Sequence, residues 1–194
     1  MEPTDRRARR TRRRLQEALS RLLLKHRIQD ITVQQVTKLA GINRSTFYLH
    51  YKDLYDLRQQ MEGELIRQLE NTLAQPEALA GMRELVNCLY GYFAERRELC
   101  RPLLPPNGDS PFWRKCVLTI AARGLPALAL IPEGNPLREC QLTFLGSGLM
   151  GILQEWVARE APALPREEAV GFLTWMMEGM LRPWEPEPGK EQSQ

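Results

Sequence analysis

Long apolar runs are missing from this chain. No stretch of about 18 uninterrupted apolar residues occurs in its 194 positions, so no segment is built to cross a bilayer as a helix. The N-terminus carries an arginine run and then an amphipathic pattern, where a signal peptide would place a short apolar segment. These two features predict a cytoplasmic protein without a membrane partner. Histidine is scarce too: His26 and His50 stand 24 residues apart. There is no glycine-rich phosphate loop, no motif of paired carboxylates and no cluster of metal-ligand spacing, which leaves an enzyme little chemistry and argues against a metal or cofactor. The four cysteines, Cys88, Cys100, Cys116 and Cys140, form no CxxC pair and read as free buried thiols. No alternating strand pattern and no internal repeat is present. What remains is 43% hydrophobic and 26% charged, the profile of a soluble protein with a packed core.

The net charge of +3 conceals an uneven distribution. Residues 1–52 hold 13 Lys/Arg against 4 Asp/Glu, whereas residues 76–194 hold 12 against 15. A concentrated positive field attracts polyanions through long-range Coulomb terms and counterion release, so on charge alone the segment is either a site for nucleic acid or an acidic membrane surface, or a solvated basic tail.

Apolar periodicity predicts helices throughout. Leu15, Ala18, Leu19, Leu22 and Leu23 repeat at i, i+3, i+4, i+7 and i+8, the stripe of an amphipathic helix from Arg10 to Arg27. Asp30 and Thr32 offer capping oxygens for a second helix through Val33, Val36 and Ala40, which stops at Gly41. Asn43 caps a short third helix in which Phe47 and Tyr51 face inward together. Asp53 caps a long fourth helix striped by Leu54, Leu57, Met61, Leu65, Leu69 and Leu73 and ended by Pro76. A fifth helix is expected from about Glu77, and the proline-rich run from Arg101 to Pro111 reads as a loop. The segment from Phe112 to Ile131 is helical by pattern with a break at Gly124 and Pro126. Two more helices are expected, from Leu137 to Arg159 and from Arg166 to Leu181, followed by a disordered tail over residues 183–194.

Within this frame the run from Thr32 to Tyr51 stands out, because the outward residues of the third helix are hydrogen-bonding types with Phe47 and Tyr51 bracing it from behind. A helix that reads the major groove needs such a surface near its N-terminus. The segment from Leu15 to Leu57, including Ala40-Gly-Ile-Asn-Arg-Ser-Thr-Phe-Tyr-Leu-His-Tyr-Lys-Asp-Leu-Tyr-Asp-Leu57, resembles the DNA-binding domain of the TetR family of bacterial transcription regulators. Phe144-Leu-Gly-Ser-Gly-Leu-Met-Gly151 and Trp156 resemble the branch containing regulators of dihydroxyacetone kinase operons. The resemblance implies an all-α fold: a basic arm and three-helix helix-turn-helix domain (1–52) joined by the long fourth helix to a ligand-binding and dimerisation domain (53–182). It implies a homodimeric repressor of a palindromic operator in double-stranded DNA, with a small-molecule effector as a further candidate partner.

The same resemblance assigns roles. Arg44 aligns with a base-contacting position, where a guanidinium can bond guanine bidentately; otherwise it is a solvated arginine. Ser45 and Thr46 would meet phosphates or a thymine methyl, or else cap the helix locally. Tyr48 would lie along the backbone, with a half-buried core aromatic as its alternative. His50 is a phosphate or base donor or a packing histidine, and Lys52 would clamp a phosphate with the free N–H groups of the fourth helix. Thr32 and Gln34 open the second helix, from which Gln34 reaches toward a base, while Gln35 points to solvent. The seven arginines between Arg6 and Arg14 would form an arm, disordered without DNA, that enters the minor groove or binds phosphates. The chain departs from the family's pattern at Leu54, where many relatives carry lysine, and at Thr37, whose hydroxyl must find a partner such as the carbonyl four residues back. In the second domain, Leu142, Leu145, Leu149, Ile152, Leu153 and Trp156 together with Val170, Leu173 and Met177 would supply the dimer interface. Tyr90, Phe93, Phe112, Trp113, Cys116 and Phe144 would line an effector pocket.

Overall fold

The computed structural model describes residues 3–105, 110–125, 134, 137–159 and 164–181. It is all-helical over these residues, with nine α-helices and no strand. They are α1 (Pro3–Leu23), α2 (Val33–Ala40), α3 (Arg44–Tyr48), α4 (Leu54–Leu73), α5 (Met82–Glu95), α6 (Arg97–Cys100), α7 (Pro111–Thr119), α8 (Arg138–Ala158) and α9 (Arg166–Met180). Short 3-10 turns occupy Ile28–Asp30, Pro76–Leu79 and Arg101–Leu103. The expected tail of 183–194 lies outside the described residues.

Two apolar cores form, and α4 belongs to both. Leu15, Ala18 and Leu19 of α1 meet Val36 and Ala40 of α2, Phe47 and Tyr51, and Leu54 and Leu57 of α4 in the smaller one. From Met61 onward α4 turns the rest of its stripe into the larger core, against Leu85, Leu89 and Phe93 of α5, Phe112 and Cys116 of α7, and Leu149 and Leu153 of α8. Polar ties fix α4 there. The Tyr92 hydroxyl donates to the Leu65 carbonyl at 2.6 Å, and the buried Glu62 carboxylate accepts from Arg58 at 2.9 Å and from Lys115 of α7 at 3.0 Å.

Several boundaries differ from the sequence expectation. The arginine run is helical, not a disordered arm: nothing between Thr4 and Leu23 breaks a helix, arginine is a good helix former, and Arg13 pairs with Glu17 at 2.8 Å. The fifth helix begins at Met82 instead of Glu77, because Pro76 opens a separate 3-10 turn. The loop expected from Arg101 to Pro111 contains a 3-10 turn and ends with Ser110 capping α7, whose first residue is Pro111, a position where the missing N–H costs nothing. At Gly124 the chain does not break but runs through a π-turn over Ile120–Gly124; Pro126 lies outside the described residues. Cys100 and Cys116 are buried thiols, but Cys88 is half-buried and Cys140 exposed.

Gly41 is where the fold leaves least choice. It ends α2 in the left-handed region at φ 60°, and an added Cβ would come within 2.8 Å of Arg14 Nη2. The arginine head can move aside, but the backbone strain stays. Gly41→Ala is expected to cost about 1–2 kcal/mol and to lower Tm by roughly 2–8 °C. A melting curve superimposable on the parent's would refute this account of the turn.

Candidate nucleic-acid interface

The reading unit is assembled by caps. Thr32 and Gln35 form a capping box at α2: the Gln35 amide N–H donates to Thr32 Oγ1 at 3.2 Å, and the Thr32 N–H donates to Gln35 Oε1 at 2.8 Å. Gln35 is thus a cap, not merely a solvated side chain. Gln34, beside it, is exposed. The extra hydroxyl of Thr37 donates to the Gln34 carbonyl at 3.1 Å, three residues back instead of the expected four. Asn43 Oδ1 accepts the Ser45 N–H at 3.1 Å and starts α3.

On α3, Phe47 is fully buried and Tyr51 just beyond the helix nearly so, their rings 5.7 Å apart. The remaining positions point away. Arg44 is exposed, and its guanidinium donates to the Tyr48 hydroxyl at 3.3 Å while lying 5.7 Å from that ring. Tyr48 is 49% exposed and is not a core aromatic. Thr46 is half-buried, whereas Ser45 gives its hydroxyl to Asn43 Oδ1, the local capping alternative. His50 is half-buried. Burial, then the neighbouring Arg12, lowers its pKa below the usual histidine range, so at pH 7 it offers a neutral imidazole.

Lys52 is exposed just before α4, and two of the N–H donors around it are occupied. Its own N–H goes to Asp56 Oδ2 at 2.8 Å, and the Asp56 N–H goes to Asp53 Oδ1 at 2.8 Å. Two carboxylates therefore stand at this helix end, and Asp53 takes the Asp56 N–H out of the expected clamp of Lys52 with the first-turn N–H groups of α4. The seven arginines from Arg6 to Arg14 are all exposed along α1, with Arg14 reaching the Gly41 turn. Leu49 was not singled out by motif. It is 81% exposed on the same short segment, and Leu39 of α2 is exposed too. The spacing of Phe47 and Tyr51 already implies this, since position 49 falls on the opposite side of the turn.

The second-domain candidates separate in an unexpected way. Leu145, Leu149, Leu153, Val170, Leu173 and Met177 are buried in the protomer's own core, and Leu142 and Trp156 pack against it. The six buried side chains offer little surface to a second copy, whereas Leu142 and Trp156 are partly accessible and Ile152 is outward at 38% exposure. The outward stripes are instead Phe144, Gly148 and Ile152 on α8 and Phe172 and Trp175 on α9. Helix α8 is apolar nearly all round, so periodicity does not tell which side faces inward. Among the pocket candidates, Tyr90, Phe93, Phe112 and Cys116 are core residues and Trp113 packs against them, but Phe144 is 63% exposed and does not belong to an interior pocket. The buried indole N–H groups of Trp113 and Trp156 make no hydrogen bond among the described residues.

This arrangement of helices matches known structures over nearly its whole length. The dihydroxyacetone kinase operon activator DhaS superposes with a TM-score of 0.64 at 13% identity, over 91% of this chain and 98% of that one. The fold is that of the TetR regulators. A TetR transcriptional regulator from Streptococcus agalactiae 2603V matches with a TM-score of 0.62 at 24% identity, over 90% of this chain and 97% of that one. The fatty acid degradation regulator FadR from Bacillus halodurans gives 0.63 at 12% identity, over 86% and 97%. No family model matches the sequence, and neither does any curated protein. The TetR likeness is thus carried by backbone geometry, which the caps and the two cores specify without requiring close sequence identity. These neighbours are regulators of transcription and not enzymes.

Proposed function

We propose that this chain is a TetR-type DNA-binding transcription regulator, a homodimer that represses from a palindromic operator. Residues 1–52 serve as its reading domain and 53–182 as its dimerisation and effector domain. The observation that carries this reading is α3: Arg44 and Tyr48 stand outward, tied to each other, while Phe47 anchors the helix from behind and a continuous cationic flank runs along α1. Arg44 near the start of α3 reads a base; Tyr48, Lys52 and the α1 arginines meet phosphates; Thr46, His50, Thr32 and Gln34 complete the contact face, and Ser45 contributes through its cap. Two copies related by a dyad place their α3 helices about one DNA turn, roughly 34 Å, apart. The interface is formed by the outward stripes of α8 and α9. A small molecule seated in the larger domain, where the unpaired indole N–H groups of Trp113 and Trp156 offer donors, would release the operator by tilting α4.

Selection of bound sequences from a random duplex pool tests the reading directly. An inverted repeat with one-turn spacing is the expected product; recovery of no preferred sequence would favour a helical adaptor for acidic protein partners. On the selected operator, Arg44→Ala is expected to cost about 1–3 kcal/mol, roughly a five- to 150-fold fall in affinity, concentrated at one base pair of each half-site. The salt dependence of binding should hardly move. A uniform loss over all sequences would make Arg44 a phosphate contact instead.

A further inference from the structure

Between α1 and α4, at the junction of the two cores, lies a cleft of about 1260 Å³ bounded at its far end by Glu95 to Leu99. Most of its lining side chains are charged or polar, and their aliphatic stems supply as much of the wall as their polar heads. Much of its charge is already internally matched: Arg13 with Glu17, Arg67 with Glu64, and Arg96 with Glu95, each at 2.8 Å. Arg12 and Arg21 differ: both line the cleft, are exposed, and form no ion pair among the described residues, and Arg12 is the one that neighbours Tyr51.

Two further features point to an occupant. Tyr51, only 2% exposed, lines the cleft, and its hydroxyl has no well-formed hydrogen bond among the described residues; the Gln16 side chain beside it makes at most a weak one. Burial pushes this phenol up to about 12, so it stays protonated and can only be satisfied as a neutral donor or acceptor. A buried hydroxyl left unpaired is a cost that a bound acceptor would remove. Gly63 is the second feature. It sits in the interior of α4, where glycine is unfavourable, and a Cβ there would meet nothing within 4 Å. Packing against the protein does not require a glycine; it leaves the backbone open toward the cleft.

We infer that this cleft is a regulatory site for a small polar molecule bearing an oxyanion, a phosphate or a carboxylate. Arg12 and the Tyr51 hydroxyl hold the anionic group once the Gln16 side chain swings aside, and the Gln60 amide and the open backbone at Gly63 lie along the body. Arg12 and Tyr51 belong to the reading head and Gly63 to the lever helix, so one bound molecule bridges the two and fixes their angle. The regulatory half rests on the DNA reading above; the binding half does not.

Calorimetric titration of the full chain, without DNA and at constant ionic strength, tests the binding half with inorganic pyrophosphate in one arm, glutarate in another and chloride as the blank. Saturable binding in at least one arm is expected, and which arm gives it identifies the anion's chemistry. Gly63→Leu, uncharged and with open space around its Cβ, should abolish it while leaving the fold intact by circular dichroism. Tyr51→Phe should weaken it about tenfold. Heats no different from chloride, or binding indifferent to Gly63→Leu, would mean only diffuse attraction to surface arginines and overturn the site. For the regulatory half, the bound anion should change operator affinity of the parent and not of Gly63→Leu; saturable binding with no such change overturns regulation alone.

Discussion

Phe47→Ala is expected to melt the reading head while the larger domain stays folded. Phe47 is fully buried in the smaller core, edge-on to Tyr48 at 5.3 Å between ring centres and tilted against Tyr51. Removing such a ring from a core costs about 3–5 kcal/mol, a large share of the roughly 5–15 kcal/mol that holds a whole domain together. The smaller core has few residues with which to repair the cavity: Leu15, Leu19, Ile31, Leu54 and Leu57 are its largest aliphatic members. The larger core shares none of these, and α4 is clamped to it through Glu62 and Leu65. Calorimetry should therefore resolve a low-temperature transition for the head, absent from the parent, and a main transition close to the parent's. Sequence-specific DNA binding should disappear even though Arg44 and Tyr48 are untouched. Phe47→Leu, which keeps most of the volume, should retain both. A single unchanged transition with intact operator binding would mean that Phe47 is not the anchor of α3.

The parts of this molecule that could be read from sequence are those governed by local physics. Thr32, Gly41, Asn43 and Asp53 each announce a helix end because the backbone needs a specific oxygen or a left-handed residue there, and all four sit where expected. The stripe from Leu54 to Leu73 was legible for the same reason, as one face of one helix. Legibility failed where a choice depends on what lies across a gap in sequence. The residues of α8 and α9 carry apolar side chains on more than one face, and only the position of α5 and α7 decides that Leu149 and Leu173 go inward while Phe144 and Trp175 go out. The α1 arginines illustrate a different failure. Their charge suggested an extended arm, but charge alone does not unfold a segment that lacks breakers and begins a leucine-striped helix. The competition for the donors at the start of α4 is likewise a matter of three-dimensional geometry, since nothing in the order Lys52, Asp53, Asp56 says which N–H each carboxylate takes.

Trp175→Glu should convert the protein from dimer to monomer and lower operator affinity by about a hundredfold or more. Trp175 is 71% exposed on α9 and stacked at 6.2 Å and 30° on Phe172, itself half exposed, so two large rings face away from the protomer's core. Each such ring offers roughly 150–250 Å² of contact, and a two-fold axis counts every residue twice. A pair of stripes can thus supply four aromatic anchors near the centre of an interface, the position where truncation commonly costs 2 kcal/mol or more. A carboxylate at 175 would be buried unpaired against its symmetry mate, which adds repulsion to the lost contact. Within the isolated protomer the same substitution meets only water. Helical content and the unfolding of the monomer should accordingly be unaltered, separating this outcome from simple misfolding. The DNA consequence follows from linkage: a dimer engages two half-sites at the entropic cost of one encounter, an advantage of about 10²–10⁴ that two monomers forgo. Sedimentation velocity across a concentration series, run beside operator titration, checks both halves. A parent that sediments as a monomer, or a Trp175→Glu protein that still sediments as a dimer, would remove the outward stripes of α8 and α9 from the interface and with them the symmetric placement of the two reading helices.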